Sequence, residues 1–211
     1  MLFRSVMYEH GQGVLQDHKE AVKWYRKSAE QGDADAQYNL GYMFENGQDT
    51  PQDYMEAVKW YRESAEQGGA KAQNNLARMY YEGQSVLQDY KEAVKWFKKA
   101  AKQGHATAQN NLARMYYEGQ SVRQDYKEAV KWYRKSAEQG YAGAQSNLGA
   151  MYETGQGVPK NYAMAHMFYN IAAESSHKGA VEKRNNVAEG MTASQLRKAQ
   201  RLSGEWTQTH S

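Results

Sequence analysis

The stretch Gln-Asp-Tyr-Lys-Glu-Ala-Val-Lys-Trp-Tyr-Arg-Lys-Ser-Ala-Glu-Gln-Gly, residues 124–140, recurs with small changes along the whole chain. Its tryptophan shows the spacing. Trp24, Trp60, Trp96 and Trp132 follow one another at steps of 36 residues, and Phe168 stands at the fifth step. A fixed period of this length marks a stacked repeat, in which each unit touches mainly its neighbours. The divisions read from it are a fragment at 1–32, full repeats at 33–68, 69–104, 105–140 and 141–176, and a divergent segment at 177–211.

Outward from residue 124, each repeat resolves into two helices. In the copy 105–140, Ala108, Leu112 and Met115 fall at i, i+4 and i+7, one face of a helix. Gly119 suits a left-handed C-terminal cap. After a short loop, Asp125 suits an N-cap, and Glu128 three residues on predicts a reciprocal capping box. The same pair recurs as Asp17/Glu20, Asp53/Glu56 and Asp89/Glu92; Asn161/Met164 departs from it. The second helix is expected to bury Ala129, Trp132, Tyr133 and Ala137 and to close at Gly140. Small residues at Gly41, Ala77, Ala113 and Gly149 predict close helix approach, with the tryptophan as the large residue opposite.

Helices of about 12–14 residues are marginal alone, so the stack must hold them. A thin two-layer stack also accounts for a mean hydropathy of −0.99 in a chain with 12% aromatic residues. Such aromatic content argues against disorder.

The pattern Ala-x-Ala-Gln-x-Asn-Leu-Gly/Ala-x-Met-Tyr, then Asp-Tyr-x-x-Ala-x-x-Trp-Tyr and a closing Gln-Gly, closely resembles the SEL-one-like repeat (SLR) family of bacterial type, cousins of tetratricopeptide repeats. The longer period, the Gly-Gln-Gly-Val loop at 11–14 and 155–158, the Asp-Tyr start and the Gln-Gly end distinguish it from the 34-residue cousin. The resemblance covers about residues 5–176, and the run 191–206 is similar to the closing helix of bacterial members. It implies an all-α fold, a right-handed α-solenoid of stacked antiparallel helix pairs, that scaffolds or binds other proteins, often at envelopes or host interfaces.

The tail has its own logic. Thr192 and Gln195 make a capping box, and Leu196, Ala199, Leu202 and Trp206 form an apolar stripe. An end cap with a polar outer face is what a solenoid needs; a docking helix is the other use of such a stripe.

At the other end, Arg4 stands where other copies carry Leu40, Leu76, Leu112 and Leu148. A charge at that core position predicts a frayed first helix or a chain trimmed upstream. An export signal upstream of Met1 would point to a periplasmic or secreted protein, and a native Met1 to a cytoplasmic one.

Composition narrows the chemistry. The chain has no cysteine, hence no disulfide, thiol nucleophile or Cys-ligated metal. No stretch approaches about 18 apolar residues, so no transmembrane segment is expected. His10, His18, His105, His166, His177 and His210 show no i, i+4 pair that would set two ligands on one helix face, and no metal or other cofactor is expected. The recurring carboxylates sit where helix N-termini favour negative charge. No serine-nucleophile motif has a persuasive context, so no enzyme is expected. The net charge of +3 resides wholly in residues 177–211, with six Lys+Arg against three Asp+Glu, whereas residues 1–176 carry 21 of each. Without a concentrated basic stripe, nucleic acid is not an expected partner.

Variation against the constant frame supplies the candidate site. Three positions of each first helix, at i, i+4 and i+7, change between copies: Tyr38/Tyr42/Glu45, Asn74/Arg78/Tyr81, Asn110/Arg114/Tyr117 and Ser146/Ala150/Glu153. In paired-helix solenoids the first helices line the concave surface. Arg and Tyr are enriched at binding hot spots. The candidate groove is therefore Asn74, Arg78, Tyr81, Asn110, Arg114 and Tyr117, with Tyr38 and Tyr42, for a peptide or protein partner with acidic character. A duplication echo is the competing account, since copies 69–104 and 105–140 differ at seven of 36 positions. The expected function is a non-catalytic interaction scaffold, acting as a monomer. The alternative is a secreted or periplasmic factor acting on cell-wall glycan by weak hydrolysis.

Overall fold

The structure is a computed structural model that describes residues 2–11, 13 and 15–210, with backbone alone at 9, 10 and 18. His10 and His18 as candidate ligands, and Val14 of the first loop, therefore lie outside the described side chains. The described residues form twelve α-helices and no strand. They group into two compact units, 1–103 and 104–211.

The first unit holds three helix pairs: α1 (Leu2–His10) with α2 (His18–Glu30), α3 (Ala34–Asn46) with α4 (Tyr54–Glu66), and α5 (Ala70–Glu82) with α6 (Tyr90–Lys102). Each helix packs on the next along the chain. The second unit repeats the scheme with α7 (Ala106–Glu118), α8 (Tyr126–Ala137), α9 (Ala142–Thr154) and α10 (Tyr162–Glu174). Then α11 (Ala180–Glu189) and α12 (Ala193–His210) both pack on α10. Trp206 of α12 meets Phe168 edge to face, centroids 5.1 Å apart. The Thr192/Gln195 box closes at 2.8 and 3.2 Å.

The caps follow the residues. Gly47, Gly83, Gly119 and Gly155 end the first helices in left-handed geometry. Each N-cap, Asp17, Asp53, Asp89, Asp125 or Asn161, accepts from backbone N–H groups of the second helix's first turn. The glutamate, however, does not reach back, so the expected capping box is absent. The reason is local: the N-cap N–H already donates to the preceding first helix, as Asp125 to the Tyr116 carbonyl at 2.9 Å.

That leaves the carboxylate free for the indole one turn on. Trp60, Trp96 and Trp132 donate Nε1–H to Glu56, Glu92 and Glu128 at 3.0, 3.1 and 2.9 Å. The fifth copy, with Phe168 and no N–H, has Met164 where the glutamate would be. In the first copy, Glu20 instead takes Lys23 at 2.9 Å.

A second expectation also changes. The large residue opposite the small one is the tyrosine after the tryptophan. A Cβ on Gly41 would lie 2.9 Å from the Tyr61 ring, and one on Gly149 2.8 Å from the Tyr169 ring. The tryptophans sit off this contact, under lysines: Lys99 Nζ lies 4.0 Å from the Trp96 centroid and Lys135 Nζ 5.0 Å from that of Trp132. Trp60 and Trp96 are buried and Trp132 half-buried.

Arg4 does not break its helix. α1 is helical from Leu2, and the guanidinium turns out over Trp24, 4.9 Å from the ring centroid.

Candidate functional site: the face of the first helices

In the first unit, three first helices and the end of α4 enclose a cleft of about 480 Å³. α1 contributes Leu2 and Val6, α3 contributes Asp35, Tyr38 and Asn39, and α5 contributes Lys71. The volume lies within the range of ligand-binding clefts, and the lining mixes apolar wall with a few polar groups. Tyr38 packs at 5.9 Å against the buried Tyr61 ring, so its position is set from below. Lys71 Nζ stands 5.8 Å from the Tyr38 centroid. Burial pushes the Tyr38 phenol above its ordinary pKa.

Of the residues named from sequence, Tyr38 lines this cleft. Tyr42, one turn along α3, is 43% exposed. Arg78 is not a free guanidinium. It pairs with Glu45 of α3, with Glu82 at 3.0 Å and with the Gln84 side-chain oxygen at 3.2 Å. Asn74 is buried, and Tyr81 stacks edge-on against Tyr90 at 5.3 Å. In the second unit, Asn110 accepts from Asn147 Nδ2 of α9 at 3.0 Å, and Tyr117 packs on Tyr126 at 5.4 Å. Arg114 is half-buried, with its charge near the Tyr133 phenol. Positions that vary between copies are thus not freed from packing; several carry the contacts between successive first helices.

The variation follows a rule that couples two positions of the first helix to a ring of the second. Where the first helix has Gly41 or Gly149, the ring of Tyr61 or Tyr169 comes close. Its hydroxyl then donates to Glu45 or Glu153, at 2.7 Å in both cases. Burial and that carboxylate push both phenols well above their usual range. Where the small residue is Ala77 or Ala113, the glutamate is replaced by Tyr81 or Tyr117. The signal was present in the sequence as a correlated pair four residues apart, Gly with Glu and Ala with Tyr, whereas the ring position does not follow it, since Tyr133 stands with Ala113.

Arg78→Ala is accordingly expected to cost about 1–2 kcal/mol, since a half-buried charge pair loses one partner. That exceeds the change of about 0.5 kcal/mol or less usual for surface sites. Lys95→Ala, which removes an exposed pair with Glu92 and a peripheral contact 5.5 Å from the Trp96 ring centroid, is the control and should stay under about 0.5 kcal/mol. Urea denaturation of the two variants makes the comparison.

No group of three or more His, Asp or Glu that could hold a metal occurs among the described residues. His105 caps α7, its Nδ1 accepting from Ala108 N at 3.3 Å. His210 stacks on Trp206 at 4.0 Å. His166 is half-buried, and burial together with Arg184 lowers its pKa. No described helix is long and apolar enough to cross a membrane.

The Sel1 repeat profile matches five consecutive segments, 1–33, 34–69, 70–105, 106–141 and 142–177. The chain belongs to the Sel1 repeat family. A Sel1 repeat protein from Oxalobacter formigenes is 36% identical over 82% of this chain and 71% of that one, with a TM-score of 0.77. A protective antigen present in uropathogenic Escherichia coli strains, displaying an SLR fold, is 32% identical over 99% of this chain. The present chain spans 53% of that antigen's length, with a TM-score of 0.62. An immunity protein from Pseudomonas aeruginosa, 18% identical over 99% of this chain and 79% of that one, has a TM-score of 0.54 and shares the fold alone. No curated protein matched. Sel1 repeat proteins are helical solenoids that generally act as non-catalytic scaffolds for protein–protein interaction.

Proposed function

We propose that this Sel1 repeat chain binds a peptide segment of a partner protein on the face of its first helices, with the cleft at Tyr38 as the principal contact. The observation that carries the reading is the cleft itself, where Leu2, Val6 and the Tyr38 ring form an apolar wall beside Lys71. Tyrosine is a favoured anchor because it buries a large area at low entropy cost and keeps a polar tip. A partner with acidic character is met here by Lys71, while Arg78 holds the cleft's neighbouring helices together through Glu45. Asn110, Arg114 and Tyr117 serve the corresponding first-helix positions of the second unit.

Affinity capture with the intact chain, followed by peptide mapping of the captured protein, supplies the ligand. Tyr38→Ala with Lys71→Ala should then weaken binding at least about tenfold, the loss of one well-buried anchor. Folding should be retained, as checked by circular dichroism. Lys95→Ala with Lys131→Ala, on the second helices, should leave affinity unchanged. Equal loss from both pairs, or none from the first, would remove the cleft from the binding site.

A further inference from the structure

Three successive repeats, 33–68, 69–104 and 105–140, are each pinned by a pair of glutamines. The first-helix glutamine donates to the carbonyl near the end of the preceding second helix: Gln37 to Ala29 at 3.1 Å, Gln73 to Ala65 at 3.0 Å, Gln145 to Ala137 at 3.3 Å. Its own oxygen accepts from a second glutamine 30 residues later. Gln67 donates to Gln37 at 2.7 Å, Gln103 to Gln73 at 2.8 Å and Gln139 to Gln109 at 2.7 Å. The glutamine of the closing Gln-Gly supplies this rung in three copies.

The last rung is missing. The residue 30 positions after Gln145 is Ser175, which holds the same C-cap place with φ −82° and ψ 17°, against −82° and 2° at Gln103. Gln145 is 2% exposed, and its Oε1 has no partner. A buried acceptor left unpaired is costly, and native structures rarely tolerate one without a use. Gln145 lines a cavity of about 210 Å³ with Ile171, Glu174, Ser175, Trp206, Thr207 and His210. The cavity therefore has an apolar wall at Ile171 and Trp206, further polar groups at Glu174, Thr207 and His210, and an unpaired amide oxygen at the position where three sibling sites receive a carboxamide.

We infer that this cavity receives a glutamine side chain presented by a partner polypeptide. The incoming NH₂ donates to Gln145 Oε1, and the aliphatic stem lies against Ile171 and Trp206. The three internal rungs define the occupant's chemistry: a donor with no negative charge, on a short flexible stem. This site is separate from the cleft at Tyr38 and does not depend on that reading.

The test is a titration of the ¹⁵N-labelled full chain with a five-residue peptide, Gly-Gly-Gln-Gly-Gly, blocked at both ends. Saturable shifts of the Gln145 side-chain amide and the Trp206 indole are expected. The same peptide with Glu in the centre, which has no donor, should give none, and free glutamine should bind at least tenfold more weakly. Ser175→Gln should supply the rung from within, abolish the shifts and raise Tm by about 2–4 °C, the value of one recovered hydrogen bond in a chain of this size. Ser175→Glu, similar in volume but without a donor, should leave Tm unraised. Absence of saturable shifts with the Gln peptide, equal shifts with the Glu peptide, or shifts that survive in a folded Ser175→Gln chain would each overturn the carboxamide site. Equal binding of free glutamine would overturn the polypeptide as its source.

Discussion

Trp96→Ala should lower the unfolding free energy by about 3–5 kcal/mol, a large share of the about 5–15 kcal/mol that holds a typical domain folded. Trp96 is 5% exposed, so the indole is removed from an interior that cannot fully collapse. The loss should also be local. Repeat stability is a sum of unit and neighbour terms, so amide exchange should quicken first in α5 and α6. Trp132→Ala, at a half-buried site, should cost measurably less. The hydrogen bond to Glu92 can be isolated by a double-mutant cycle. Trp96→Phe and Glu92→Met together reproduce the pair found at Phe168 and Met164. They should show a coupling of about 0.5–1.5 kcal/mol relative to the single changes. An additive cycle would mean that the indole–carboxylate contact contributes nothing beyond packing.

Gly157→Ala is the other large effect, from a residue with no side chain to lose. Gly157 has φ +72°, and a Cβ there would fall 2.3 Å from the Tyr126 carbonyl oxygen and 2.5 Å from its carbon. These are backbone atoms of the first turn of α8, which cannot swing aside as a side chain would. The left-handed conformation costs a non-glycine residue about 1–2 kcal/mol, and overpacking adds about 1–3 kcal/mol. A total of about 2–5 kcal/mol is expected from equilibrium unfolding. The equivalent Gly13 has the same left-handed conformation, φ +74°, but its nearest neighbour would be Met7 Cε at 3.8 Å. Gly13→Ala should therefore show only the smaller, conformational part. Asp49, Ser85 and Ser121 occupy the same loop position at φ 54°, 53° and 52°, so the left-handed conformation itself admits a Cβ in those copies. Equal costs at Gly13 and Gly157 would refute the contact argument.

The period, the two-helix unit and nearly every helix end were legible in the residues. Each is decided within a few positions: Asp125 accepts from amides two and three residues on, and Gly119 alone fits a left-handed cap without strain. The apolar rows at Leu40, Leu76, Leu112 and Leu148 were legible for the same reason, since a helix face is a local consequence of 3.6-residue spacing.

Partnership across helices was not. Trp60 and Tyr61 are neighbours on one helix, about 100° apart, and both are large enough to fill the space over Gly41. Only the angle at which α3 and α4 pack decides that the tyrosine takes it. Glu92 could cap its own helix or bind an indole. The choice fell to the indole because the cap's N–H was already taken by a carbonyl of α5. Arg78 looked free because Glu45 lies 33 residues away, and no periodic argument says which of two exposed-looking side chains will turn towards the other. Sequence by itself determined the repeat, its helices and their caps, because those depend on hydrogen bonds and spacings within one turn of chain. The tertiary structure alone decided which large ring meets which small residue, which charges are already paired, and where a buried acceptor is left without a partner, because those depend on how one helix is rotated against the next.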